Sequence, residues 1–217
     1  MKFDIVLRFS DILLEGFWLT IQIAVGATIL GLALGLITAI GRMGPIRPLR
    51  WAAVTYVEVV RNTPALLQVF IIYYGLGQLG FRLPALTAMI VALGINNGAY
   101  LAEIFRGGLQ SVRRGQREAA AALALPARTT FSWVVLPQAV RSIWPAITNQ
   151  TIQIILATSL AATIGMPELV NQAMYLNSRY YRTNELLLTI MVMYWALTLA
   201  VTGAAGLVAR RMDRAYR

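Results

Sequence analysis

Residues 17–40 read FWLTIQIAVGATILGLALGLITAI, 24 consecutive residues without a charge. As an α-helix at ~1.5 Å per residue the run extends about 36 Å, enough to cross the ~30 Å hydrocarbon core of a bilayer. It far exceeds the ~7–15 apolar residues of a cleavable signal peptide, so it reads as a retained span. Outward from it, 186–209 is a second uncharged run of 24 residues, and 142–165 is a third, richer in polar groups. Residues 84–105 carry one charge, Glu103. Residues 51–79 carry Glu58, Arg61 and Pro64. They are expected to form a helix broken or kinked at Pro64, because proline lacks a backbone donor and clashes with the preceding turn. The expected fold is an all-α integral membrane protein with five transmembrane helices, at 17–40, 51–79, 84–105, 142–165 and 186–209.

The composition of the 217 residues agrees: 58% are hydrophobic and 13% charged, where soluble domains carry about 25% charged residues. With no cysteine and no histidine, disulfides, iron–sulfur clusters, the usual zinc sites and Ser-His or Cys-His catalysis are excluded. The only lysine is Lys2, so no P-loop can hold a nucleotide here. The chain is therefore expected to be no enzyme and to carry no cofactor or metal of its own. Nineteen basic residues face nine acidic ones, yet they sit between apolar runs and not on a soluble basic face, so nucleic acid is not an expected partner.

The arginines orient the spans instead. Arg42, Arg47 and Arg50 follow the first span. Arg106, Arg113, Arg114, Arg117, Arg128 and Arg141 follow the third, and Arg210, Arg211, Arg214 and Arg217 close the chain. Lys2, Arg8, Arg82, Arg179 and Arg182 fall on the other side. The positive-inside rule then predicts an external N-terminal segment (1–16), a cytoplasmic loop (106–141) and a basic cytoplasmic tail (210–217).

That loop reads RGGLQSVRRGQREAAAALALPARTTFSWVVLPQAVR. Gly107 and Gly108 are expected to stop or loosen the third span. Residues 116–125 are nearly all helix formers. Pro126 interrupts them, and a second short helix is expected from Ala127 towards Leu136, ahead of Pro137. Physics alone leaves two readings: a compact knob that meets another protein, or a basic loop anchored to anionic lipid headgroups.

The spacing of Glu118-Ala119-Ala120, Val134 and Leu136-Pro137 resembles the EAA loop of ABC-importer permeases: EAA, three residues, Gly, nine residues, Ile, one residue, Leu-Pro. The glycine slot falls on Ala124, a departure, since a positive φ there is costly for alanine. Further stretches are similar to the histidine/glutamine/glutamate/arginine/opine group of type I ABC permeases. These are YVEVVRNTP at 56–64, Gln68, YYGL at 73–76, AYLAEIFRGG at 99–108, Gln110-Ser111, Gly115-Gln116, LPQAVR at 136–141, TSL at 158–160 and PEL at 167–169. A second departure is Leu156-Ala157, where the family usually has a lysine and often an acidic residue.

The resemblance implies a five-span permease subunit of an ATP-driven importer of polar amino acids, in the cell (inner) membrane. It implies pairing with a second permease, identical or paralogous, and delivery of substrate by an extracytoplasmic binding protein. Two ABC ATPase subunits would hold the ATP and Mg and dock on the loop, at Gly115, Glu118, Ala119, Ala120, Ala124, Leu136 and Pro137. A different class of reading is a self-sufficient channel or secondary transporter whose basic loop binds membrane lipid. Such a loop has no reason to keep the EAA spacing, and five spans do not suit paired inverted repeats.

Polar groups inside the spans are candidates for the substrate path. Asn96 and Asn97 sit mid-span, Asn149 and Gln153 lie four apart on one helix face, and Ser159 comes after them. Such groups either hydrogen-bond between helices, at ~0.6 kcal/mol each on average, or line a water path. Amides suit a zwitterion because they both donate and accept. Glu58 and Arg61 are three apart, as are Glu103 and Arg106. That spacing fits local ion pairs, or else a carboxylate that meets the substrate. Gly31 and Gly35, with Ala27 and Ala39, make a small-residue face suited to packing within the chain.

Overall fold

The structure of this protein, a computed structural model, describes residues 3–214, with side chains as far as 212; Lys2, Arg217 and the Arg214 side chain lie outside them. Among the described residues the fold is helical without strands. Its helices are α1 (Asp4–Arg8), α2 (Ser10–Met43), α3 (Arg47–Arg61), α4 (Ala65–Gln78), α5 (Ala85–Ser111), α6 (Arg114–Ala122), α7 (Ala127–Ile164), α8 (Leu169–Tyr180) and α9 (Thr183–Arg214). Three of them, α2, α5 and α9, are each long and apolar enough to cross a membrane. The pair α7 and α8, bent by 47°, is so when taken together.

The first apolar run is the middle of α2, 34 residues and about 51 Å at ~1.5 Å each. Its small residues face α5, in the most extensive helix–helix contact of the fold. A Cβ on Gly31 would lie 2.5 Å from Asn97 Nδ2, and one on Gly35 would lie 2.7 Å from Leu101 Cβ. The glycines thus let two backbones approach within this chain. Close packing matters because lipid tails are as apolar as leucine, which leaves van der Waals contact and hydrogen bonds to hold helices together. One core gathers Ile23, Met89, Leu93 and Ile154 between α2, α5 and α7. A second gathers Leu13, Leu169, Leu186 and Tyr194 around α8 and α9.

Residues 51–79 form two helices, α3 and α4, separated at Asn62–Thr63–Pro64. Pro64 cannot donate, and the carbonyls freed around it are taken up by side chains. Asn62 Nδ2 donates to Glu58 O at 2.7 Å, Thr63 Oγ1 to Val59 O at 2.9 Å, and Gln68 Nε2 to Val60 O at 2.9 Å. Such internal pairing satisfies the carbonyls that the break frees. Within α4 the turn Ile71–Gly75 widens to a π-helix.

Two local expectations are corrected. Gly107 and Gly108 do not end the third span, since α5 runs through both to Ser111. Gly108 packs so tightly on α7 that a Cβ would lie 2.1 Å from Ile143 Cγ2, so its role is close approach and not helix breaking. Nor does a short helix stop before Pro137: α7 continues unbroken through it. The turn Thr130–Val135 is π-helical, and that wider turn accommodates a ring that would clash with the carbonyl four residues back.

Candidate functional site

The knob after α5 is built from α6 and the start of α7. Small residues and arginines make α6 nine residues long, from Arg114 to Ala122. It ends in a full Schellman motif: Leu125 N–H donates to Ala120 O at 3.0 Å and Ala124 N–H to Ala121 O at 2.9 Å. The motif needs a left-handed residue in the second position beyond the helix, and Ala124 supplies it at φ 53°. Glycine would adopt that conformation freely, whereas alanine pays about 1–2 kcal/mol. Ala120 is buried, while Gly115, Glu118, Ala119 and Ala124 are exposed, and Leu136 is exposed beside half-buried Pro137. Glu118 pairs with Arg114 at 2.7 Å, both side chains well exposed, so that pair contributes only ~0.3–0.5 kcal/mol. Its carboxylate stands one turn inside α6 and not at the helix start. Leu123 and Trp133 are 73% and 77% exposed. The knob is anchored: Arg117 Nη2 donates to Leu109 O at 2.9 Å, and Val135 and Ala139 pack on Val112. Beneath it lies an apolar groove of about 510 Å³ between Met43, Leu109, Ala121, Leu125 and Phe131.

Three arginines within and beside the spans meet at Glu103. Its Oε2 accepts from Arg106 Nε and Nη2 at 2.9 and 2.6 Å, and its Oε1 accepts from Arg42. Arg61 Nη1 lies 4.0 Å from the same Oε1, with its guanidinium over the Tyr100 ring at 5.3 Å. The spacing-based pair Glu103–Arg106 is present. The other, Glu58–Arg61, is not formed, which corrects that expectation. Arg61 ends α3 just before the break and turns to α5, while the exposed Glu58 carboxylate accepts from Asn62 Nδ2 at 3.2 Å. One carboxylate therefore pins the ends of α2, α3 and α5.

The amides divide into two groups. Asn97 is 1% exposed and packs on Gly31, and its Oδ1 has no partner among the described residues. Asn96 is buried too and donates to Gln68 Oε1 at 3.1 Å. Asn149 and Gln153, by contrast, lie on the exposed face of α7. Ser159 is half-buried and donates to Leu156 O at 2.7 Å. It lines an apolar hollow of about 510 Å³ shared with Tyr194 and Trp195.

Sequence reasoning missed a buried carboxylate at the bend between α7 and α8. Glu168 is fully buried, caps α8 by accepting from Asn171 N–H at 2.8 Å, and accepts from Tyr194 Oη at 3.1 Å and Thr20 Oγ1 at 3.4 Å. The signal was there in Pro167-Glu168 ahead of an apolar run, an N-terminal helix signature. Gln68 was likewise noted only as a motif residue.

Residues 31–214 match the family described as "Binding-protein-dependent transport system inner membrane component". The chain is similar to the arginine transport system permease protein ArtQ of Bacillus subtilis, 35% identical over 201 residues that make up 92% of each chain. It is also similar to the probable glutamine ABC transporter permease protein GlnM of the same organism, 30% identical over the full length of both. Among solved structures it superposes on a chain of "an amino acid ABC transporter with histidines" with a TM-score of 0.91 and 35% identity, covering 97% of this chain and 99% of that one. A bundle of long apolar helices, an anchored protruding knob and these likenesses agree, and the chain belongs to the inner-membrane permease components of binding-protein-dependent ABC transport systems.

Proposed function

We propose that this permease forms the translocation path for a polar amino acid handed over by an extracytoplasmic binding protein. It crosses the membrane five times, N-terminus outside and C-terminus inside, with α3 and α4 together as the second crossing and α7 and α8 contributing the fourth. It pairs with a second permease, identical or paralogous, and is driven by two ATPase subunits that hold the ATP and Mg²⁺. The observation that carries this reading is the knob. A chain whose only lysine is Lys2 cannot power transport with a P-loop, so force must enter through protein on the cytoplasmic side. The exposed Glu118, Ala119, Leu123 and Trp133 on a firmly anchored α6–α7 unit provide the place. An exposed carboxylate in a weak local pair can exchange Arg114 for a partner's cation on docking, a charge-assisted contact of about 1.5–3 kcal/mol.

The test is capture of the ATPase by a tag on this chain, compared between wild type and Glu118→Lys. The variant is expected to insert normally and to bind ATPase at least about tenfold more weakly. Equal recovery and equal uptake would overturn the docking role and favour the alternative, a self-sufficient channel or secondary transporter with a lipid-bound loop. Orientation is tested on this cysteine-free chain with single cysteines at Ala122 and Ser178, both exposed. An impermeant thiol reagent added outside is expected to label only position 178.

A further inference from the structure

Asn149 and Gln153 stand one turn apart on the exposed face of α7, and among the described residues neither side-chain amide has a hydrogen-bond partner. Unpaired amides facing acyl chains are expensive, so this face is turned to water, to a permeating solute or to protein. Its charge is as informative as its polarity. Between Arg141 and Glu168 the sequence holds no charged residue. Glu168 is closed off by burial and by Tyr194, Thr20 and the α8 N-terminus. Arg61, Glu103 and Arg106 are gathered elsewhere, near the ends of α3 and α5, with Glu103 occupied by arginines, and the exposed Glu58 carboxylate accepts from Asn62 on α3's own break. The next turn along the α7 face presents Leu156, which is exposed, beside Ala157.

The face thus offers donors and acceptors with no net charge. A zwitterion is matched by that arrangement, because its ammonium needs an acceptor, its carboxylate needs a donor, and its charges sum to zero. A third charge, on the side chain, would cross this stretch without a counter-charge from this chain. We propose that Asn149 and Gln153 contact the permeating amino acid and that the substrates are amino acids with uncharged side chains. This rests on the permease reading above and gives it a substrate class.

The experiment uses the whole importer, captured from its own membrane by a tag on this chain together with its ATPase and binding protein. It is reconstituted in vesicles with ATP on the ATPase side, and uptake of radiolabelled glutamine, arginine and glutamate is measured. Glutamine is expected to enter at least about tenfold faster than either charged amino acid. Gln153→Leu is expected to lower that uptake about tenfold, with ATPase and partner permease still recovered in full. Gln153→Glu, which supplies a counter-charge, is expected to raise the ratio of arginine to glutamine uptake. Arginine or glutamate entering as fast as glutamine would overturn the proposal and leave the permease reading intact. So would wild-type uptake by Gln153→Leu, or a ratio unmoved in Gln153→Glu. Loss of the partner permease in Gln153→Leu would assign the face to the interface between permeases and overturn it too. ATP-driven uptake of none of the three, nor of a radiolabelled mixture of the other uncharged amino acids, would reject the permease reading itself.

Discussion

Asn96 donates its side-chain amide to Gln68 Oε1 at 3.1 Å, and through it α5 is tied to the break between α3 and α4. Gln68 in turn donates to Val60 O and to Thr63 Oγ1, at 2.9 and 2.8 Å. One side chain thus satisfies part of the backbone that Pro64 exposes and fixes the break against the neighbouring helix. Removing it leaves the buried Asn96 donor unpaired, at about 1–3 kcal/mol, and Val60 O with only the Thr63 hydroxyl at 3.4 Å. Gln68→Leu is expected to lower the melting temperature of the detergent-solubilised protein. Asn96→Leu added to it is expected to cost less than the two single changes summed, because the partners share one network.

Ala124 holds a left-handed conformation at φ 53° that closes a complete Schellman motif. Ala124→Gly is expected to stabilise the knob by about 1 kcal/mol without altering its shape, since the hydrogen bonds are already in place. Ala124→Val is expected to do the reverse. Hydrogen exchange at the amides of residues 124 and 125 reads both: slower in the glycine variant, faster in the valine variant.

Glu103 accepts hydrogen bonds from Arg42 and Arg106, with Arg61 beside them. Glu103→Gln removes the charge that holds three cations together at the ends of three helices. The expected loss is about 1–3 kcal/mol of stability, because the group is only partly shielded from solvent. It should be read as less folded protein in the membrane and a lower melting temperature. Uptake per folded molecule is expected to change little. A variant with normal stability and abolished uptake would instead make Glu103 a substrate contact.

Gly107 and Gly108 are neighbours in sequence with opposite tolerances. A Cβ on Gly108 would lie 2.1 Å from Ile143 Cγ2, whereas one on Gly107 would meet nothing within 4 Å. Gly108→Ala is expected to destabilise by about 1–3 kcal/mol through overpacking. Gly107→Ala, at an exposed helical position, is expected to be neutral or to stabilise by about 0.5–1 kcal/mol. Thermal melts of the two variants side by side separate them.

Composition and local chemistry were enough to determine part of this protein from sequence alone. The apolar runs at 17–40, 84–105 and 186–209, with Glu103 their one charge, had to be long helices, because a backbone in lipid must satisfy its own polar groups and these runs are about twice the length of a barrel strand. Pro64 points to a break, because it lacks an N–H and its ring crowds the preceding turn, and the chain does break there. The positive φ costly to Ala124 was legible through the resemblance to the EAA loop, whose glycine slot falls there.

Whatever depended on neighbours was decided only by the tertiary structure. Arg61 had Glu58 three residues away but took up Glu103 on another helix. Gly108 looked like a stop until Ile143 was found against it, and Pro137 looked like a boundary until a π-turn absorbed it. Asn96 and Asn149 are the same residue type in similar apolar surroundings, yet one is sealed against Gln68 and the other lies on an open face. For Arg61, Gly108 and the two asparagines the physical reason is the same. A side chain's partner, and whether it meets protein or open space, is set by which helix lies against it, and helix neighbours are fixed by packing across the whole bundle and not by spacing along one chain segment.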